Sequence, residues 1–169
     1  RLDRETSGLL IIAKNLKTTK YFGVLFKDQQ IEKIYIAICQ GIPKNIESEI
    51  NLLIEDKKNN KKNFNTVTRY KVINTNNNLS NIVFFPKTGK THQLRIVSKH
   101  LGCPIIGDTK YNIQDKYNFE KLKLNAHILK FKIYNQSYFF VSNLPDHFNL
   151  FCKKNYLKIT NLKKIKNSL

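Results

Sequence analysis

The chain has 169 residues, 41% of them hydrophobic, which is enough for one domain with a core, too short for two full domains and too apolar for a disordered protein. Thirty Lys and Arg residues against twelve Asp and Glu residues give a net charge of +18. This excess favours a polyanionic partner, with nucleic acid first and an anionic membrane second, although a compositional bias towards Lys, Asn and Ile would also produce it.

Sequence features of membrane and secreted proteins are missing from the chain. It has no run of about 18 apolar residues that would span a bilayer, and no signal-peptide pattern. Cys39, Cys103 and Cys152 lie far apart without a C-x-x-C pair, which predicts reduced, buried thiols in the cytoplasm and disfavours a zinc site. Because methionine is absent even at position 1, we expect a fragment, a processed product or a mis-started reading frame.

The first predicted elements are a strand and a helix. Residues 9–13 form a continuous apolar run behind a polar turn, which is typical of a buried strand. Asn15 is a suitable N-cap for a helix over residues 16–27. The packed face of this helix is predicted to carry Tyr21, Val24 and Leu25.

Strands dominate the rest of the chain. Apolar alternation at Ile34, Ile36 and Ile38 predicts a strand over residues 31–40. The further predicted elements are a hairpin or excursion within 45–65, strands at 66–73 and 81–85 joined by an Asn-rich turn, a helix at 91–101, a hairpin of 124–134 and 137–141, and a short helix from Pro145. Because the strands outnumber the helices without alternating β-α-β units, we predict an α+β fold with a mainly antiparallel mixed sheet and flanking helices. We expect one domain over residues 1–152 and a basic tail over 153–169.

The first candidate for chemistry is Asp3, which lies between Arg1 and Arg4. Nearby cations favour the ionised carboxylate, and a carboxylate can act as a covalent nucleophile or as a general base. Taken alone, the pattern is more typical of a surface salt bridge that contributes little to stability.

A second candidate segment covers residues 89–111. Helical spacing gives residues 91–101 two faces, one that packs on a core and one that presents cations. The cationic face carries His92, Arg95 and Lys99, and the core face carries Leu94, Val97 and Leu101. An ordinary amphipathic surface helix would share this pattern.

Together these segments resemble the RluA-type pseudouridine synthases. Arg1-Leu2-Asp3-Arg4 resembles the catalytic signature of that family. Residues 89–111 resemble its pattern G-[RK]-T-H-Q-[LI]-R…L-G-x-P-I-x-G-D-x-x-Y, residues 33–37 resemble its K-x-Y-x-A strand, and residues 124–131 match its L-H-A-x-x-L-x-F pattern more weakly. The resemblance extends to about residue 150, with Val97 and Asn125 at positions where the family usually has His.

The resemblance implies roles for individual residues. Asp3 would attack the ribose of a flipped-out uridine, or take a proton from it, while the bond to the base breaks. Tyr35 would stack on the base, Arg95 would pair with Asp3, and Arg1 would fill the space of the flipped nucleotide. Contacts to RNA are expected from Arg1, Arg4, Lys90, His92 and Lys99. His92 and Gln93 are expected to be structural or RNA-facing rather than catalytic, and neither a cofactor nor a metal is expected because the transferred atoms belong to the substrate.

The expected function is the isomerisation of specific uridines to pseudouridine in RNA, with large-subunit ribosomal RNA as the expected substrate of a cytoplasmic monomer. The resemblance also implies that the first part of the family's sheet is missing before Arg1. The alternative is a truncated, non-catalytic RNA-binding remnant of such an enzyme. Membrane binding is disfavoured because the sequence lacks a long basic amphipathic helix with aromatic anchors.

Overall fold

The computed structural model describes residues 3–56, 62–112, 117 and 119–159 of the chain. In chain order the elements are β1 (Ser7–Gly8), α1 (Leu16–Lys27), β2 (Glu32–Gln40), β3 (Glu47–Asp56), β4 (Lys62–Asn76), β5 (Leu79–Pro86), α2 (Gln93–His100), β6 (Leu124–Ile133), β7 (Gln136–Val141) and α3 (Asp146–Lys154). The predicted α+β class with a mainly antiparallel sheet is confirmed.

The strands form one sheet in the order β1-β6-β2-β5-β4-β3, with β7 also paired to β6. Of the strand pairs described, β1 with β6 is parallel and the others are antiparallel. The Asn-rich turn between β4 and β5 is present as predicted, and Asn77 and Asn78 both adopt the left-handed conformation, with φ of 46° and 60°. Asn tolerates that conformation better than most residues, so the turn is encoded locally.

Helices cover both faces of the sheet. Phe148 of α3 shares a core with Ile36 of β2, and Val97 of α2 shares another with Ala37 of the same strand. Because successive side chains on a strand point to opposite faces, α2 and α3 lie on opposite sides of β2. This arrangement leaves the start of α2 beside the face of β2 that also carries Tyr35.

The predicted buried strand at residues 9–13 is wrong. Leu10 and Ile12 are 55% and 79% exposed, and the pairing with β6 ends when the Leu9 N–H donates to the carbonyl of Ala126 at 2.8 Å. Beyond that point β7 occupies the same edge of β6. A longer β1 therefore has no backbone partner on that edge.

The predicted helix over residues 16–27 is present with its N-cap, because the side chain of Asn15 accepts a backbone N–H from the first turn at 2.9 Å. Its predicted packed face is wrong in part. Leu25 is buried, but Val24 is 53% exposed and Tyr21 is 37% exposed. Phe22 packs on the core in their place.

The remaining predictions concern the thiols and the chain end. The three cysteines are buried free thiols, as predicted. The division at residue 152 stays a prediction: α3 continues to Lys154, and Leu157 is buried in the core. Residues 57–61 and 160–169, which include most of the predicted basic tail, lie outside the described residues. No helix in the described part of the chain is long and apolar enough to cross a bilayer.

Candidate functional site

A pocket lies where the loop before β1, strand β2 and the first turn of α2 meet. It brings together five of the residues predicted from the sequence: Asp3, Tyr35, Lys90, His92 and Arg95. Lys33, two residues before Tyr35 on β2, also lines it. The pocket thus brings Asp3, near the start of the sequence, together with residues 90–95.

Asp3 is positioned by the short strand that follows it. The Thr6 N–H donates to the Asp3 carbonyl at 3.0 Å, which closes a turn in front of β1. Gly8 has a φ of 104°, and a Cβ on it would collide with the backbone of Ala126. Only glycine fits this close approach, so the contact with β6 fixes where the loop carrying Asp3 ends.

Asn125 strengthens the same junction. Its side chain is fully buried, donates to Ser7 Oγ at 2.9 Å and accepts from Ser142 Oγ at 2.8 Å. Asn125, one of the two departures from the family pattern, therefore links β1 to β6 through its hydrogen bond to Ser7. Val97, the other departure, is buried in the core under α2.

Arg95 is buried and held by Asp108. Its Nε and Nη2 donate to the two carboxylate oxygens of Asp108 at 2.8 and 2.7 Å. The remaining nitrogen, Nη1, lies 3.9 Å from Oδ2 of Asp3, an ion-pair distance rather than a hydrogen bond. The predicted cationic face of α2 is wrong in this respect, because Arg95 is 5% exposed while Lys99 is exposed.

The electrostatics of this pair favour two charged groups. The hydrogen bond to Asp108 raises the pKa of Arg95 against the opposing effect of burial. Burial acts to raise the pKa of Asp108, but the hydrogen bonds from Arg95 and from the N–H groups of Lys110 and Tyr111 prevail and lower it. Both backbone N–H groups lie 3.0 Å from Asp108 Oδ1. Asp108 is thus a fixed anion that aims the guanidinium towards the pocket.

His92 stands beside Asp3 in an unusual backbone conformation. Its φ of 55° is left-handed, immediately before α2 begins. Nε2 lies 3.7 Å from Asp3 Oδ1, and Nδ1 forms a hydrogen bond with the Tyr111 hydroxyl at 3.0 Å. Burial lowers the pKa of His92 although Asp3 acts to raise it. The next residue, Gln93, is buried and bonds to Thr68 and Thr88, so it has a structural role, as expected.

Tyr35 lies on the wall of the pocket next to Asp3. Burial, with a further contribution from the Asp3 charge, raises the pKa of Tyr35 to about 12. Its hydroxyl is therefore neutral at any ordinary pH. The aromatic ring and a neutral hydroxyl are what this strand presents to a ligand.

The predicted RNA-binding cations are spread more widely. Lys90 lies at the pocket with its ammonium 3.9 Å from the centroid of the Phe64 ring, a cation–π contact. Arg4 and Lys99 are exposed and are not among the pocket residues. Arg1 lies outside the described residues.

Sequence reasoning did not assign roles to Asp108, Tyr111 or Lys33, although all three stand inside the quoted motifs. The G-D-x-x-Y spacing contained the signal for Asp108 and Tyr111, because their backbone and side chains form one turn around Arg95. In the described part of the chain, no group of three or more His, Cys, Asp or Glu residues is arranged to hold a metal ion.

Comparison with known proteins gives a consistent family. A family model described as RNA pseudouridylate synthase matches residues 1–100. The chain is 36% identical over 162 residues to ribosomal large subunit pseudouridine synthase C of Rickettsia bellii, which covers 88% of the chain and 54% of the relative. It is 35% identical over 167 residues to ribosomal large subunit pseudouridine synthase D of Borreliella burgdorferi, covering 92% of the chain and 51% of the relative. The chain therefore spans about half the length of these curated relatives.

Solved structures agree on the fold. The chain is similar to human RNA pseudouridylate synthase domain containing 4, with a TM-score of 0.85, 25% identity, and coverage of 95% of this chain and 76% of that one. Human RNA pseudouridylate synthase domain containing 1 has a TM-score of 0.81 at 20% identity over 99% of this chain and 77% of that one, and shows the shared fold alone.

Proposed function

Because the chain belongs to the RNA pseudouridylate synthase family, we propose that it converts uridine to pseudouridine in RNA. The observation that carries the proposal is the meeting of Asp3, Tyr35 and Arg95 at one pocket. Large-subunit ribosomal RNA is the proposed substrate, because the similar proteins of Rickettsia bellii and Borreliella burgdorferi are named for it.

Asp3 is the proposed catalytic carboxylate. The reaction breaks the bond between the ring nitrogen of uracil and the anomeric carbon of the ribose, and the base keeps the electron pair. The base turns, a ring carbon bonds to the anomeric carbon, that ring carbon loses its proton and the ring nitrogen gains one. Nothing is oxidised or reduced. Asp3 either attacks the sugar and leaves again, or removes and returns a ribose proton.

Arg95 is the proposed orienting residue for Asp3. Two of its nitrogens are committed to Asp108, so the third is presented to the pocket at a fixed position. A guanidinium held in this way favours one rotamer of the neighbouring carboxylate. Holding the carboxylate in place lowers the entropic cost of the reaction.

Tyr35 is the proposed platform for the flipped base. Taking one nucleotide out of its stack costs on the order of a few kcal/mol. Stacking on an aromatic ring recovers about 1–3 kcal/mol, and contacts from a chain with a net charge of +18 to the RNA phosphates offset the rest. Arg1 and Arg4 are proposed to stabilise the RNA around the vacated position.

Pseudouridine mapping on large-subunit ribosomal RNA tests the proposal. The wild-type protein should modify specific uridines, and Asp3→Asn should reduce their formation by at least about 100-fold while RNA binding is retained. Glu5→Gln is the matched control, because it removes the same charge from an exposed carboxylate two residues away and should retain activity. Equal activity of Asp3→Asn and wild type would refute the role of Asp3.

The alternative of a non-catalytic RNA-binding remnant makes a different prediction. Such a chain would bind ribosomal RNA and form no pseudouridine. The geometry disfavours this alternative, because Asp3 lies within 4 Å of both His92 and Arg95, an arrangement that binding alone does not need.

A further inference from the structure

Lys33 brings a positive charge into the pocket without a carboxylate partner. It lies on β2 and its side chain is on the same face as that of Tyr35. Its Nζ would stand 3.8 Å from a Cβ placed on Gly89, so the ammonium lies beside the loop between β5 and α2. Lys33 pairs with Leu129 through its backbone, but its ammonium forms no hydrogen bond or ion pair with any residue that the structure describes.

A second lysine shows how this fold treats a buried ammonium that serves structure. Lys123 is fully buried, and its Nζ donates to Glu120 at 2.6 Å and to the carbonyl of Lys121 at 2.9 Å. Burying a charged group is unfavourable unless it is paired. Lys33 is half-buried, its ammonium has no such partner among the described residues, and burial lowers its pKa. An unpaired ammonium at a pocket wall is therefore matched to an anionic ligand.

The surroundings of Lys33 favour an anion as well. Lys90, on the adjoining loop, lines the same pocket, and its ammonium is held over the Phe64 ring. The first turn of α2 also lines the pocket, and the N-terminal end of a helix carries a partial positive charge. The Asp3 carboxylate also lines the pocket, but its ion-pair contacts are with His92 and Arg95.

We propose that Lys33 binds a backbone phosphate adjacent to the nucleotide that enters the pocket, with Lys90 as a second, more exposed contact. This inference rests on the proposed function and adds a phosphate subsite to it. Two residues along a strand separate Lys33 from Tyr35 by about 7 Å, so a base on Tyr35 leaves Lys33 to the sugar-phosphate backbone. Phosphate contacts position a nucleic acid without reading its sequence.

Salt-dependent binding tests the charge contact without requiring turnover. The probe is a transcript of large-subunit ribosomal RNA, and its Kd is measured over a range of salt concentrations for wild type and Lys33→Met. We expect Kd to rise about tenfold at physiological salt and the slope of log Kd against log salt to fall by about one. Lys33→Arg, which retains the charge, should retain most of the slope.

Lys130→Met is the matched control. Lys130 lies outside the pocket residues and pairs with Glu32 at 2.9 Å on the surface, so its removal deletes one charge without touching the proposed subsite. Its salt slope should equal that of wild type. Equal slopes for Lys33→Met and wild type would show that Lys33 meets no phosphate.

Neutral phosphate analogues identify the contacted group. Once mapping has located a target uridine, an RNA fragment carries a methylphosphonate on one side or the other of that uridine. At one of the two positions the wild type should lose as much affinity as Lys33→Met loses on unmodified RNA, and Lys33→Met should lose nothing more. If, at both positions, the affinity losses from the methylphosphonate and from Lys33→Met multiply, Lys33 contacts neither phosphate. That result would overturn the proposal and assign Lys33 to the base. Absence of pseudouridine from wild type, with the salt result retained, would overturn the proposed function alone.

Discussion

Replacing Asp108 with Asn should destabilise the protein and misplace Arg95. The Asp108 carboxylate is 0% exposed and the Arg95 side chain is 6% exposed. Removing one partner of a buried ion pair costs about 3–5 kcal/mol. Asn keeps one acceptor for the guanidinium but turns an amide N–H group towards other donors, so we expect a loss near the lower limit, about 3 kcal/mol.

Urea unfolding at neutral pH measures this loss. The midpoint for Asp108→Asn should fall without a change in the denaturant slope, and the Tm should fall by about 6–12 °C for a chain of this size. Glu47→Gln is the control, because Glu47 forms an ion pair with Lys71 in which both side chains are more than 40% exposed. That substitution should cost no more than about 1 kcal/mol.

The stability difference between wild type and Asp108→Asn should also depend on pH, in a direction set by the pKa of Asp108. The pKa of Asp108 in the folded protein lies below its ordinary value of 3.8. A carboxyl group with a lowered folded pKa contributes stability above its unfolded pKa and loses it as the pH falls through the folded pKa. The difference between wild type and Asp108→Asn should therefore be constant above about pH 5 and shrink below pH 3.8. A difference that is absent at neutral pH, or that grows in acid, would refute the assignment of Asp108 as the fixed anion of the site.

Three smaller predictions concern residues that position or surround Asp3. Gly8→Ala, which collides with Ala126 at a φ of 104°, should lower pseudouridine formation at least about tenfold and lower the free energy of unfolding, measured in urea, by about 1–3 kcal/mol. Because burial lowers the pKa of His92 below 6.5, the stability of wild type relative to His92→Asn should fall as pH drops from 6.5 through the folded pKa, which paired urea titrations would measure. Because the pKa of Tyr35 is about 12, Tyr35→Phe should leave the shape of the pH–rate profile unchanged below pH 10. If the wild-type rate falls at alkaline pH and Tyr35→Phe removes that fall, the prediction is contradicted.

Some elements were predictable because their signals are local. The alternation of Ile34, Ile36 and Ile38 predicted β2 within one residue of its observed start. The turn after β4 was also predictable, because Asn77 and Asn78 are residue types that accept a left-handed backbone. In both cases the information lies within the segment itself.

Residues 9–13 show what local patterns leave out. An apolar run predicts a strand only if an edge is free to pair with it. Here β7 takes the edge of β6 at Ile128, and β1 stops after Gly8. The competition is between segments more than a hundred residues apart, so no window of the sequence contains it. Leu10 and Ile12 are exposed as a result.

The candidate site follows the same division. The motifs predicted the residue types at the pocket, but helical spacing placed Arg95 on a solvent-facing cationic face with Lys99. In the structure a turn after α2 returns Asp108 to within 2.8 Å of Arg95, and this contact turns the guanidinium inward. We therefore expect the orientation of Asp3 to depend on a carboxylate that the spacing argument assigned to no role. The proposed site should then be as sensitive to the turn at Asp108 as to the signature at Asp3. The two substitutions should differ in their effect on stability: Asp3→Asn should lose activity in a folded protein, whereas Asp108→Asn should lose both activity and stability.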